Sequence, residues 1–262
     1  MTAAGRHSGR ISRAALAEHE QLNRHLWTVF ALSTSKAPMF PVVRAQLDVL
    51  TAAREAASPD LWACALTRHA YICIYEGAFA QAEPLLQHAA VVARSGDPQL
   101  ATRHWVSSVQ SQALAGLGDS QACLRAIDRA AGVRELTISQ APSGWLRFDG
   151  SRLAEEHGAC LASLREAEAA DVALTQALEQ NLSLRRRGAV LTDLASTGVL
   201  LRDTERVIRY GEAALDVALE SWSGVVRRKL LDFRQSLGQI PEGGSVHDLS
   251  RRIEALETTV AG

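Results

Sequence analysis

The stretch AYICIYEGAFAQAEPLLQHA, residues 70–89, decides the fold class of this chain. It places small residues at Ala70, Ala82 and Ala89, so that the steps between them are 12 and 7 residues. The same two steps recur three times further along the chain, at Ser111, Cys123 and Ala130; at Gly158, Ala170 and Ala177; and at Ala195, Val207 and Ala214. A register that occurs four times indicates a tandem array of one structural unit.

Small residues at these positions are what paired helices require. They allow the first helix of a hairpin to lie close against the second and allow the next helix to pack behind. The spacing is typical of tetratricopeptide (TPR) repeats, so we predict an all-α, TPR-like solenoid of about five stacked helical hairpins with C-terminal capping helices. The last residue of each set is an alanine, and successive ones lie 41, 47 and 37 residues apart: Ala89, Ala130, Ala177 and Ala214. These steps exceed the roughly 34 residues of an ideal repeat, so longer helices or linkers are expected.

The composition of the 262 residues supports an all-helical chain and excludes some partners. Apolar residues make up 47% and aromatic residues 5% of the chain, a composition dominated by helix-forming Ala and Leu. The net charge of −1 lacks the basic excess that a nucleic-acid binder carries. The sequence shows neither a secretory h-region nor about 18 consecutive apolar residues, so we expect a cytoplasmic chain with no membrane contact.

The chain divides into three parts. Residues 1–10 are polar and are expected to be disordered. Residues 11–237 form the predicted helical array, whose last helix runs from Ser223 to Leu237. Residues 238–262 are predicted to form a Gly-Pro linker and a short C-terminal helix from Val246 to Val260.

The turns inside the hairpins differ in their central residue. Gly77 and Gly118 mark the first two turns, where glycine permits a tight reversal of the chain. Arg165 and Arg202 stand at the same places in the third and fourth hairpins. We therefore expect less sharp turns there.

The four cysteines predict neither a disulfide framework nor a zinc site. Cys64, Cys73, Cys123 and Cys160 are far apart, and none forms a C-x-x-C pair. Cys73 and Cys123 fall at inward helix positions, where cysteine acts as a small hydrophobic residue. We predict buried, reduced thiols and no bound metal.

Two short segments have a spacing known from catalytic motifs. Ser33–Lys36 fits S-x-x-K, but the companion motifs of serine acyl-enzymes are missing. Glu155, Glu156 and His157 supply carboxylates and an imidazole, whereas helical metal sites need ligands three or four residues apart, so solvated or groove-lining roles are expected. Because H-E-x-x-H, G-x-S-x-G and Walker motifs are also missing, we predict a non-enzymatic protein without a cofactor.

Two basic runs, Arg185–Arg187 and Arg227–Lys229, are candidates for phosphate contacts. Consecutive helical residues spread around the circumference of the helix, so neither run forms one basic stripe. No aromatic residues alternate with these arginines, as a single-strand stacking platform would require. We expect solvated helix faces near carboxylates and no direct binding of nucleic acid.

Three segments resemble the C-terminal regions of bacterial Xre-type helix-turn-helix transcriptional regulators that carry TPR sensor domains. They are Leu26–Val43, the phrase Trp145–Asp149 with Arg152–Ala154, and Ser221–Leu237. The resemblance implies an array that senses a peptide or small molecule, or mediates dimerisation, beside an N-terminal DNA-binding domain. Such a domain needs about 55 to 60 residues, and only about 15 precede the first predicted helix here. The resemblance therefore implies regulatory ancestry and no DNA binding by this chain.

The resemblance to TPR arrays also implies a binding surface. In those arrays the first helix of each hairpin lines the concave face, with ligand-facing residues at the second, fifth, ninth and twelfth positions. The predicted groove residues are Thr67, Tyr71 and Ile74; Trp105, Ser108 and Gln112; Arg152 and Glu155; and Thr192 and Ser196. This set lacks the Lys/Asn/Arg clamp of chaperone-binding TPRs, so chaperone tails are not expected. The alternative, that Trp105 and Tyr71 pack between hairpins, stays open.

These features together predict a non-catalytic regulatory or scaffold protein that binds a peptide or protein segment in its groove. Two alternatives stay open. In the first, the chain is a transcription-factor partner that reaches DNA through a dimer with a full-length regulator. In the second, it is an accessory subunit of an enzyme complex. A homodimer also stays open as a partner state.

Overall fold

The computed structural model describes residues 21, 41, 43–45, 47–48, 58–136, 148–221, 223–241 and 243–258. Across these ranges the regular structure is helical, without strands, which confirms the all-α prediction. The predictions for residues 1–10, for the Ser33–Lys36 motif and for residues 145–147 lie outside the described residues. None of the helices within the described ranges has the length and apolar character needed to cross a bilayer.

Ten α-helices follow one another in the described chain from residue 59 onward. They are α1 Pro59–Tyr75, α2 Phe79–Ala93, α3 Thr102–Gly116, α4 Ser120–Ala131, α5 Leu153–Ser163, α6 Ala167–Leu178, α7 Leu184–Leu200, α8 Thr204–Ser221, α9 Gly224–Ser236 and α10 Gly244–Thr258. Short 3-10 helices, Gly132–Glu135 and Leu237–Gln239, follow α4 and α9.

Several helices begin where the sequence provides a cap. The Ser58 hydroxyl accepts a hydrogen bond from the Leu61 amide at 3.3 Å, and Pro59 occupies the first helical position of α1. The Asp119 carboxylate likewise accepts from the Ala122 amide at 2.9 Å at the start of α4. Each cap satisfies an amide that would otherwise lack an intrahelical partner.

The helices are arranged as a repeat. α1 packs on α2, α3 on α4, α5 on α6 and α7 on α8, and each pair is joined by a short turn. The first helices of the pairs also contact each other in order, α1 with α3, α3 with α5, α5 with α7, and α7 with α9. They form one continuous layer, which we call the inner layer. α10 packs on α8 and α9 at its end.

All the residues of the 12-and-7 register are buried. Ala70 and Ala82 belong to one buried cluster between α1 and α2. At Gly158 the helices approach so closely that an added Cβ would lie 2.6 Å from Cγ of Leu174 on α6. The small residues therefore lie at the contacts inside the hairpins, as the sequence predicts.

The prediction of less sharp turns at Arg165 and Arg202 is wrong. Their φ angles are 63° and 56°, in the same left-handed region as Gly77 at 72° and Gly118 at 77°. In each turn the next amide donates to the carbonyl five residues earlier, and these bonds are Ala78 to Cys73, Asp119 to Leu114, Glu166 to Leu161 and Asp203 to Gly198. Hairpin packing and these bonds outweigh the left-handed penalty of an L-residue, about 1 to 2 kcal/mol.

Among the described residues, the largest buried cluster lies in the C-terminal half, from α5 to α10, and several smaller clusters hold the hairpins α1–α2 and α3–α4 together. Residues of the predicted linker and C-terminal helix contribute to it, because Ile240, Leu249 and Ile253 are buried there. The four cysteines are buried free thiols, as predicted.

Candidate functional site

The inner layer encloses a cavity of about 360 Å³, which we call the central cavity. Its lining comes from α1, α3, α5, α7 and α9, together with Phe79 at the start of α2. The first and last helices of the layer meet across it, since Nη2 of Arg228 on α9 donates to the carbonyl of Tyr75 on α1 at 3.4 Å. The inner layer therefore curves back on itself around this space.

One wall of the central cavity is apolar and aromatic. It is formed by Tyr71, Ile74, Tyr75 and Phe79. Tyr71 and Tyr75 lie one helical turn apart on α1, and their rings meet edge to face with centroids 5.0 Å apart. Burial raises the pKa of the Tyr75 phenol well above its usual value, so this hydroxyl stays protonated at neutral pH.

The first turn of α5 contributes a charged wall. Arg186 Nε on α7 lies 2.6 Å from Oε1 of Glu155, which fixes this carboxylate across the contact between α5 and α7. The Ser108 hydroxyl on α3 donates to the carboxylate of Glu156. Burial raises the pKa of Glu156, although Arg152 and Ser108 oppose the shift.

Arg152 stands immediately before α5 and faces both carboxylates. Its Nε lies 3.7 Å from Oε1 of Glu155 and 3.6 Å from Oε1 of Glu156, beyond hydrogen-bond distance. This Nε is buried and has no hydrogen-bond partner among the described residues. The side chain as a whole is 43% exposed and lines the cavity. Arg152 is thus a cation whose hydrogen-bonding capacity is only partly used.

The opposite side of the central cavity comes from α7 and α9. Lys229 Nζ lies 2.7 Å from Oδ1 of Asp193, which joins the two helices by an ion pair. Arg228 and the exposed Asp232 complete this side. Charged groups of both signs therefore face the aromatic wall.

The structure brings half of the predicted groove residues together. Tyr71, Ile74, Gln112, Arg152 and Glu155 line the central cavity. Ser108 lies behind the lining, where it holds Glu156.

The other predicted groove residues lie outside the cavity. Thr67 and Thr192 are buried, and each hydroxyl donates to the carbonyl four residues earlier, at 2.7 and 2.8 Å. Ser196 does the same with the Thr192 carbonyl at 3.0 Å. Hydroxyls bonded back to their own helix have less capacity to bind a ligand.

Trp105 also lies outside the cavity. It is half-buried and packs against two buried clusters that hold α1, α3 and α5. The guanidinium carbon of Arg68 lies 5.8 Å from the centroid of its ring. This placement agrees with the packing alternative for Trp105, whereas Tyr71 lines the cavity.

Sequence reasoning missed the contribution of α9. The sequence predicts a solvated face for the run Arg227–Lys229, and this prediction is wrong: Arg227 is only 3% exposed, and Arg228 and Lys229 line the cavity. No local signal identifies them, because their partners Tyr75 and Asp193 are distant in sequence. The missed residue Tyr75 had a usable signal, since it lies four positions after Tyr71 on the same helix face.

Two further observations bear on the chemistry of the site. The part of the chain that the structure describes holds no group of three or more His, Cys, Asp or Glu residues arranged for a metal ion. Glu155 and Glu156 line the cavity, which is one of the two roles that the sequence predicts for them, whereas His157 does not line it.

Comparison of the chain with known protein families, with curated proteins and with solved structures finds no match.

Proposed function

We propose that this chain is a non-catalytic, cytoplasmic regulatory or scaffold protein that binds a peptide or protein segment in the central cavity. The observation that carries the proposal is the cavity itself, lined by five helices with an aromatic wall opposite charged groups of both signs. Its volume, about 360 Å³, lies in the range of ligand sites in proteins.

Three of the four lining carboxylates support binding rather than catalysis. Glu155 is paired with Arg186, Asp193 is paired with Lys229, and Glu156 accepts from Ser108. A general acid or base needs a carboxylate that is free to exchange a proton with substrate. Carboxylates held by basic or hydroxyl partners serve better to position side chains around a ligand.

We also infer that the hairpins are of the TPR class and that the array is related to the sensor regions of Xre-type regulators. The TPR class is supported by the shared register of buried small residues and by the four turns, which have the same left-handed geometry. The relation to those regulators is supported by the sequence phrases that resemble them. Recognition by such an array would use the first helices of the hairpins, which are the helices that line the cavity.

A peptide selection tests the proposal. Random peptides displayed on phage are selected on the immobilised chain, and their affinity is then measured for two variants. Ala159→Phe fills the cavity, and Ala169→Phe adds the same group at an exposed position on α6. We expect selected peptides to bind Ala169→Phe normally and to lose about tenfold or more of their affinity for Ala159→Phe.

The thermal melting of both variants serves as the folding control. Peptides that bind Ala159→Phe as well as the unchanged chain would contradict the proposal, and so would a selection that yields no binding peptide.

A further inference from the structure

We propose that the central cavity recognises a carboxylate carried next to a large apolar side chain, with Arg152 binding the carboxylate and the aromatic wall holding the apolar group. This ligand class rests on the proposed function, because it specifies which peptide segment the cavity accepts. It is argued from the hydrogen-bonding state of the charged groups, from their local charge balance and from the size of the cavity.

The first step is the hydrogen-bonding state of the lining cations. Lys229 is paired with Asp193, and Arg228 donates to the Tyr75 carbonyl. Arg152 differs, because its Nε is buried without a hydrogen-bond partner in the described chain while 43% of its side chain stays exposed. Arg152 lines the cavity and part of its side chain is exposed there, so the guanidinium keeps donors that a ligand acceptor can reach.

The second step is the charge that the site tolerates. Two carboxylates, Glu155 and Glu156, lie within 3.7 Å of Arg152 Nε, and Arg186 neutralises the first of them. The site near Arg152 therefore accepts a ligand with only a small negative charge. A planar carboxylate with one charge matches the paired donors of a guanidinium, whereas a phosphate with nearly two charges is repelled by the same two groups.

The third step is the position of the apolar wall. Tyr71, Tyr75 and Arg152 line the same cavity and lie near one another, so the aromatic wall and the guanidinium are neighbours. Tyr71, Ile74, Tyr75 and Phe79 offer ring faces and edges to an apolar group beside a bound carboxylate. The ligand should thus carry both groups within one or two residues.

The last step is the size of the ligand. The cavity measures about 360 Å³. This volume lies at the lower end of the range of ligand sites in proteins. It suits a single large side chain with a neighbouring carboxylate, either at the end of a peptide or on an acidic side chain.

Small probes test this ligand class on the full chain. N-acetyl-phenylalanine carries a terminal carboxylate, and N-acetyl-aspartyl-phenylalaninamide carries a side-chain carboxylate. N-acetyl-phenylalaninamide lacks the charge, acetate lacks the apolar group, and phenyl phosphate carries the higher charge. Titration followed by NMR of the backbone amide resonances measures the affinity of each probe for the unchanged chain and for the variants.

We expect at least one of the two apolar carboxylates to bind, and the tighter of them identifies the carboxylate source. The other three probes should bind at least tenfold more weakly than that ligand. Arg152→Gln should lose tenfold or more, and Arg152→Lys, which keeps the charge but not the paired donors, should lose less. Arg187→Gln, at an exposed position on α7, is the matched control and should bind normally.

Equal binding of N-acetyl-phenylalaninamide, or unchanged binding by a folded Arg152→Gln, would overturn the inference. Failure of the inference differs from failure of the proposed function. If selected peptides bind in a manner blocked by Ala159→Phe but independent of Arg152, the proposed function stands and the ligand class is wrong. If no peptide binds, the proposed function is wrong.

Discussion

The indole of Trp105 packs between the hairpins, beside Arg68 and outside the central cavity. We predict that Trp105→Ala lowers the free energy of unfolding by about 3 kcal/mol, because a large core-contacting ring is removed. The folded variant should bind cavity ligands with normal affinity. Urea denaturation measures the loss, and Leu117→Ala, at an exposed position, should change stability by less than about 0.5 kcal/mol. Loss of ligand binding with unchanged stability would contradict this assignment.

Burial of Glu156 predicts a pH-dependent stability. The pKa of this carboxyl is raised in the folded state, so its ionised form is less favourable there than in the unfolded chain. The resulting destabilisation is absent below the unfolded pKa, near 4.3, and grows as pH rises through the folded pKa. Glu156→Gln keeps an acceptor for Ser108 and should raise the melting temperature at pH 7.

The gain from Glu156→Gln should shrink as pH falls toward 4. Melting curves of the variant and the unchanged chain between pH 4 and pH 8 measure it. A gain that is independent of pH would show that ionisation of Glu156 is not its origin.

Among the elements, the four hairpin turns share one backbone geometry with different residues. We predict that Gly118→Ala destabilises the chain by roughly 1 kcal/mol, because an L-residue is strained at φ 77°. The Cβ of the new alanine has no neighbouring atom within 4 Å, so the loss of stability comes from the backbone alone. Arg202→Gly, at an exposed turn position with φ 56°, should instead stabilise by roughly 0.5 to 1 kcal/mol.

Chemical denaturation of these two variants gives the measurement. Changes of the same sign would contradict the shared left-handed geometry. Gly238→Ala, where an added Cβ also meets nothing but φ is not left-handed, is the control and should change stability by less than about 0.5 kcal/mol.

Helix positions were largely predictable. The predicted helices from Ser223 to Leu237 and from Val246 to Val260 correspond to α9, Gly224–Ser236, and α10, Gly244–Thr258. Caps and helical periodicity act over a few residues, so they can be recognised in the sequence. The turns at Arg165 and Arg202 were not predictable in this way, because hairpin packing determines their φ angles against the preference of the residue.

At the scale of the whole molecule, the buried apolar residues that the structure describes are unevenly distributed. One cluster joins α5 to α10, whereas smaller clusters hold the earlier hairpins. In a repeat array each unit is stabilised mainly by its neighbours, so local stability should follow this distribution. We predict slower amide exchange in α7, α8 and α9 than in α1 and α2, measured by hydrogen exchange with mass spectrometry.

A matched pair of variants sharpens this prediction. Leu86 and Leu215 are both fully buried, the first on α2 and the second on α8. Leu215→Ala should accelerate exchange throughout α7 to α9, and Leu86→Ala should act mainly on α1 to α3. Equal acceleration along the whole chain by both variants would instead indicate a single cooperative unit.

The sequence by itself determined the all-helical class, the positions of the hairpin turns and the small residues at the helix contacts, because these depend on spacings of at most 19 residues within one hairpin. Only the tertiary structure decided which side chains surround the central cavity. Arg228 and Tyr75 are separated by 153 residues, and Arg186 and Glu155 by 31. Such contacts depend on the curvature that builds up from one hairpin to the next. No local spacing encodes that curvature, because it is the sum of many small packing angles between helices.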